Sequence, residues 1–199
     1  ISASTERTPV DGNLDAVAVA AGAVSGARRG PPAPETVASW EPPLSGDIPI
    51  RIRRDAVWEH AGREIRRESL WRLFAALLRR ESDGCYYLVT PVEKWRIEVE
   101  AHPLLVVDLA RDAATGNAGA AAPWIATLNS GARHSLGGTC RLRVPGGEAP
   151  WLTLPNGLSA ALSRAAWYRL VESAIPEGDE LVVYSGPERF SLGRRDDDR

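Results

Sequence analysis

The stretch that most constrains this chain is residues 70–100, LWRLFAALLRRESDGCYYLVTPVEKWRIEVE, which reads as a helix, a tight turn and two β-strands in one unbroken run. Leu70, Leu73, Phe74, Leu77 and Leu78 recur at i, i+3, i+4, i+7 and i+8, a spacing that predicts one apolar helical stripe. Arg79, Arg80 and Glu81 then close the predicted helix on its polar side, with the cations set against the negative end of the macrodipole. Asp83-Gly84 signals a turn, because glycine takes positive φ without a Cβ clash. Residues 85–90 are short, apolar and aromatic, as a strand is. Pro91 stops that strand. Beyond it, Trp95, Ile97 and Val99 alternate with Arg96, Glu98 and Glu100, the pattern of a half-buried strand.

At 199 residues the chain fits one domain or two small ones and is long enough to bury a sizeable core. The balance of 24 Lys+Arg against 26 Asp+Glu leaves a net charge of −2, so no global field favours nucleic acid or an anionic membrane, and neither is expected as a partner. Two cysteines, Cys85 and Cys140, are too few to read as a disulfide framework; the expectation is two reduced thiols in a cytoplasmic protein. Methionine is absent even at position 1, which fits a chain that was trimmed or started elsewhere.

Residues 1–38 are expected to be a disordered tail, since Ala, Gly, Ser, Thr and Pro dominate and Gly30-Pro31-Pro32-Ala33-Pro34 breaks helices. The apolar run 16–24 is far shorter than the ~20 residues of a membrane span. It follows Asp11 and Asp15 rather than a basic segment, so it is a poor signal peptide. Order is expected from Trp40, with an N-terminal half over 39–103 and a C-terminal half over 104–193. In the first, Ile48, Ile50 and Ile52 alternate with Pro49, Arg51 and Arg53, a one-face-buried strand that Val57-Trp58 continues after a turn at Arg54-Asp55. Ala61-Gly62 is a second turn. In the second, strands are expected over 104–109, 124–128, 140–144, 151–154 and 181–185, with an Ala/Gly loop at 113–122 and turns at Gly146-Gly147 and Asn156-Gly157. Leu162, Ala166, Trp167, Leu170, Val171 and Ala174 predict a helix over 158–175, ended by Pro176. Residues 194–199 are a charged tail. Thr90-Pro91-Val92-Glu93-Lys94-Trp95-Arg96-Ile97 parallels Ser185-Gly186-Pro187-Glu188-Arg189-Phe190-Ser191-Leu192 position by position. Either an internal duplication or the commonness of helix-plus-hairpin units accounts for it.

These residues also carry a family resemblance. Gly46-Asp47-Ile48, Trp58-Glu59-His60-Ala61-Gly62, Leu78-Arg79-Arg80-Glu81, Tyr86-Tyr87-Leu88-Val89-Thr90-Pro91-Val92-Glu93-Lys94 and Tyr184-Ser185-Gly186 make residues 40–193 resemble the bacterial family catalogued as domain of unknown function 1285. The resemblance implies an α+β fold of two intimately packed, β-rich, roll-like halves, each with one main helix against a mostly antiparallel sheet. It implies a ligand-binding or signalling role and no assigned reaction. The chain departs from the family at Ala56, where members usually carry Gly, at Ala101 (an acid), at Leu104 (an aromatic) and at Pro155 (an Arg).

Tested for chemistry, the sequence is mostly negative. His60, His102 and His134 lie far apart and none has a partner at metal-ligand spacing, so no metal or other cofactor is expected. No nucleophile motif or glycine-rich phosphate loop is present. Glu98 and Glu100 share a strand face and are read as a cross-strand ladder with Arg51 and Arg53. One local bias stands out: nine arginines against four acids over 51–80, beside Trp58 and Trp71. Arginine suits bidentate contact with phosphate or carboxylate. The resulting expectation is a non-enzymatic regulatory or signalling module that binds a small anionic ligand or a protein partner. Its groove would be lined by Trp58, Arg66, Arg67, Thr90, Glu93 and Lys94, with a bend at 90–94 aiming Glu93 and Lys94 at the start of the central helix. The alternative is an enzyme using Glu93 or Glu100 as acid or base. The sequence leaves ligand, pathway and oligomeric state open.

Overall fold

Ile48, Ile50 and Ile52 send one face of β1 (Leu44–Ile52) inward and leave Asp47, Pro49 and Arg51 outside, the period-2 burial that strand geometry requires. The chain, described by a computed structural model over residues 31–112, 122–146 and 148–194, is an α+β protein. It divides into two compact units: residues 31–52 with Val57–Glu98, and Arg53–Ala56 with the described residues from Val99 onward. Each builds a curled, mostly antiparallel sheet against one main helix.

The N-terminal unit begins with a short helix, α1 (Pro34–Ala38), inside the range expected to be tail. Pro34 stands at its first turn, where a missing N–H costs nothing, and Val37 is fully buried. The rest of the expected tail, residues 1–30, lies outside the described residues, as do most of the 113–122 loop, Gly147 and residues 195–199. The sheet runs β3-β2-β1-β6-β5-β4, with β2 (Trp58–His60), β3 (Arg63–Glu64), β4 (Leu78–Arg80), β5 (Tyr86–Val89) and β6 (Lys94–Val99). Arg51 pairs with Glu98 at 3.4 Å, and the Glu100 carboxylate accepts the backbone N–H of Arg54 at 2.8 Å. Gly46 has φ +132°, and a Cβ there would stand 3.6 Å from the Trp95 ring that packs over it.

The central helix, α2 (Glu68–Ala76), is shorter than its stripe predicts. Leu77 caps it and Leu78-Arg79-Arg80 turn into β4, so the two arginines are strand residues and not helix-end cations. Phe74 and Leu77 are fully buried, whereas Leu70 and Leu73 are only half-buried. β4, β5 and β6 then form an antiparallel meander with Arg79 opposite Tyr87 and Lys94 opposite Val89.

In the C-terminal unit, β7 (Leu104–Arg111), β8 (Trp124–Leu128), β9 (Arg133–Ser135), β10 (Leu142–Arg143), β11 (Trp151–Thr153) and β12 (Ser159–Leu162) form a second six-stranded sheet, ordered β10-β11-β12-β7-β8-β9, with β12 parallel to β7. The helix expected over 158–175 is α3 (Arg164–Glu172) alone, because 159–162 is taken up by pairing with both β7 and β11. Ser163 sets its start, its hydroxyl accepting the Ala166 N–H at 3.2 Å. Pro176 is not a helix stop but part of an edge strand, β13 (Ile175–Glu177), in a three-stranded sheet with β14 (Glu180–Ser185) and β15 (Glu188–Arg194). Ser185 ties this sheet to the larger one, accepting the Trp124 N–H at 2.9 Å and donating to the Leu136 carbonyl at 2.6 Å. The two matching octapeptides form the same hairpin. Lys94 lies opposite Val89 as Arg189 lies opposite Tyr184, and the aromatic and aliphatic members Trp95, Ile97, Phe190 and Leu192 are all buried.

Among the described residues no helix is long and apolar enough to cross a membrane. Neither cysteine is disulfide-bonded, and burial pushes the Cys140 thiol up to about 11.

Candidate functional site

Strand alternation sorts the β4–β5–β6 meander into two faces. Leu78, Tyr86, Leu88, Trp95 and Ile97 go to one, and Arg79, Glu81, Tyr87, Val89 and Lys94 to the other. α1 covers part of the second face: Val37 packs with Tyr87 and Val89, flanked by Trp40 and Cys85. This explains why all four residues of β5 are buried. It also leaves three charged side chains beside an apolar patch, only 14% (Arg79), 23% (Glu81) and 17% (Lys94) exposed.

Such charges persist only if they satisfy one another. Glu81 is the centre. It accepts from the Lys94 ammonium at 3.0 and 2.9 Å and from the Arg79 guanidinium. Burial alone would raise the Glu81 carboxyl, but the hydrogen bonds and charges of Lys94 and Arg79 outweigh it and hold the group below its ordinary value. The Lys94 ammonium also sits 4.9 Å from the centre of the Tyr87 ring. The Tyr87 hydroxyl donates to Asp83 at 2.6 Å, and Asp83 also accepts the Cys85 N–H at 2.8 Å. That bond to the carboxylate, with burial added, raises the Tyr87 phenol, so it stays protonated. Arg79 Nη1 reaches the carbonyls of Trp40 (2.7 Å) and Val37 (3.3 Å), while its Nε is buried with no partner among the described residues.

A cleft of about 420 Å³ opens over this triad, lined by Ala38, Glu41 and Pro42 on one side and by Arg79, Arg80, Glu81, Ser82 and Lys94 on the other. Three cations against two carboxylates give its wall an excess of one positive charge. Arg80 donates through Nε to the Gly84 carbonyl at 3.1 Å and lies over the Tyr86 ring. Its terminal nitrogens make no hydrogen bond among the described residues.

Of the six residues singled out from sequence, Lys94 lines this cleft. Thr90 is buried beside it in the β5–β6 turn, where its hydroxyl accepts the Glu93 N–H at 3.1 Å and holds the bend that Pro91 starts. Glu93 points its carboxylate at the Trp95 indole N–H (3.2 Å) and makes no ion pair among the described residues. Arg66 and Arg67 are exposed at the start of α2, and Arg67 Nε donates to the Ser69 hydroxyl at 3.3 Å. Lys94 therefore meets Glu81 rather than the helix start. Trp58 is a core residue, 2% exposed and 6.3 Å from Phe74. What sequence reasoning missed is Arg79, Arg80 and Glu81, assigned to the helix end. The available signal was that Leu78-Arg79-Arg80-Glu81 stood within the family-like stretches. Among the described residues no group of three His, Cys, Asp or Glu side chains converges as a metal site.

The two-unit α+β architecture and the charged β4–β6 face define the class, and the comparisons give it a family. Residues 34–102 match the N-terminal domain of the domain of unknown function DUF1285. A DUF1285 family protein from Silicibacter pomeroyi DSS-3, solved by crystallography, is 31% identical over 84% of this chain and 90% of its own, with a TM-score of 0.73. A second, from Shewanella baltica OS155, is 28% identical over 63% of this chain and 91% of its own, with a TM-score of 0.52. The chain belongs to the DUF1285 family. No match is found among curated proteins.

Proposed function

We propose that this protein is a non-enzymatic binding module, and that the cleft over the Arg79–Glu81–Lys94 triad takes a small anionic ligand. The observation that carries the reading is the net positive wall of a cleft in which Arg79 and Lys94 are already fixed on Glu81. A volume of about 420 Å³ falls within the small-molecule range. Preorganised donors bind at lower entropic cost than mobile ones. Arg80 and Ser82 supply donors at the rim, and the Lys94 ammonium supplies the charge behind them. The competing enzymatic reading gains nothing from its carboxylates. The Glu93 carboxylate accepts from the Trp95 indole and the Glu100 carboxylate from the Arg54 amide.

Isothermal titration with inorganic phosphate, inorganic pyrophosphate and citrate tests the reading. Saturable one-to-one binding of at least one of them, weakened tenfold or more by Arg80→Gln, is expected. Absence of binding by all three overturns it.

A further inference from the structure

We infer that the segment 31–43 is a strap forming one wall of the cleft, and that its docking is locked by what the cleft holds; this rests on the reading of the cleft as an anion site. The strap is lightly attached. α1 has five residues and no side-chain cap, and helices that short are not stable alone. Of the strap's thirteen residues only Pro32, Val37 and Pro42 are buried; Val37 sits in a small apolar cluster with Tyr87 and Val89, Trp40 lies beside it, and Arg79 grips the carbonyls of Val37 and Trp40. Segments with few buried contacts open more readily than the sheet beneath them.

Three of the cleft's lining residues, Ala38, Glu41 and Pro42, belong to this strap, and the other five lie on the meander side. Undocking therefore dismantles the cleft. A ligand that needs both walls binds the docked state alone, and linkage then lowers the undocked population by the factor 1 + [L]/Kd. Arg79 is the shared part. One terminal nitrogen holds the strap and the other holds Glu81, which in turn holds Lys94. The charge state of the triad and the position of the strap are thus one equilibrium.

Hydrogen exchange on the full chain tests this, with inorganic pyrophosphate as probe and its dissociation constant measured by calorimetry in the same buffer. The Ser39 and Trp40 amides, bonded within the strap, should exchange faster than those of β5 in the free protein. At ten times the dissociation constant they should slow about elevenfold while β5 is unchanged. Without probe, Glu81→Gln should speed strap exchange several-fold and spare β5. Val37→Asp, at a residue that does not line the cleft, should weaken pyrophosphate binding at least tenfold. Calorimetric binding with no slowing of the strap overturns the inference and leaves the anion site standing. Unchanged strap exchange in Glu81→Gln together with unchanged affinity in Val37→Asp also overturns it. No calorimetric binding of pyrophosphate, phosphate or citrate overturns both.

Discussion

Among the described residues three non-glycines hold positive φ, and two of them shape hairpins of the N-terminal sheet. Ala61 (φ 49°) and Gly62 (φ 76°) are the whole loop between His60 and Arg63, and two positive φ values in a two-residue hairpin are the signature of a type I′ turn. That turn favours asparagine at its first position, and alanine there carries the Cβ clash of the left-handed region. Ala61 is exposed and holds the sheet through its backbone N–H to Pro49 O, which substitution leaves in place. Ala61→Asn should therefore stabilise the protein by about 0.5–1 kcal/mol. A denaturant midpoint that falls instead of rising would show that the loop is built otherwise. Ala56, where the family resemblance implies Gly, is the buried counterpart at φ 60°. At Glu81 a stronger effect is expected. Glu81→Ala leaves Arg79 and Lys94 facing each other across a partly buried gap, and should cost roughly 2–3 kcal/mol in chemical denaturation.

At the scale of elements, the helix stripe overruns its helix, and of its five members Phe74, Leu77 and Leu78 are buried while Leu70 and Leu73 are half-buried. Phe74 is fully buried against Trp58, so Phe74→Ala should cost on the order of 3–5 kcal/mol, whereas Leu73→Ala, at a half-buried position, should cost clearly less. Equal losses in thermal or chemical melts would contradict this packing. Strands 44–52 and 94–99 were legible because burial of one face writes itself at period 2, and 104–111 and 124–128 because they are short apolar runs. Two stretches were not. Leu77-Leu78 continues the helical spacing but enters β4, and 158–162, rich in good helix formers, becomes a strand between two others. Pairing overrides local propensity in both cases, across the 81–85 turn to β5 in the first and with β7 and β11 in the second. The site was hidden for the same reason. Lys94 and Thr90 could be singled out from the Pro91 bend, but Glu81, 13 residues from Lys94, meets it only once β4 has become a strand.

The two units differ in how acid should act on them. His102 and His134 belong to the C-terminal unit, and burial pushes both imidazoles below their ordinary value, with Glu148 opposing this weakly at His102. A depressed folded-state pKa favours the neutral form. The stability it lends is present above the ordinary histidine value, near pH 6.5, and drains away as pH falls through the folded one. Glu81, in the N-terminal unit, is likewise depressed, but its contribution persists until pH falls below the glutamate range, about 4. Acidification from pH 7.5 to 5 should therefore lower the melting temperature through the histidines, and His102→Asn with His134→Asn should shrink that drop. A pH dependence identical in the double variant would count against it.

The placement of Pro176 reaches beyond the single molecule. It sits on the outermost strand of the three-stranded sheet, next to Ile175, which is 47% exposed. A bare rim of N–H and C=O groups beside an apolar side chain is a template on which a second chain can polymerise. Proline offers such a chain no N–H and interrupts the row. Replacing it by threonine should turn a protected rim into a sticky one, seen as concentration-dependent growth in light scattering at a melting temperature that scarcely changes.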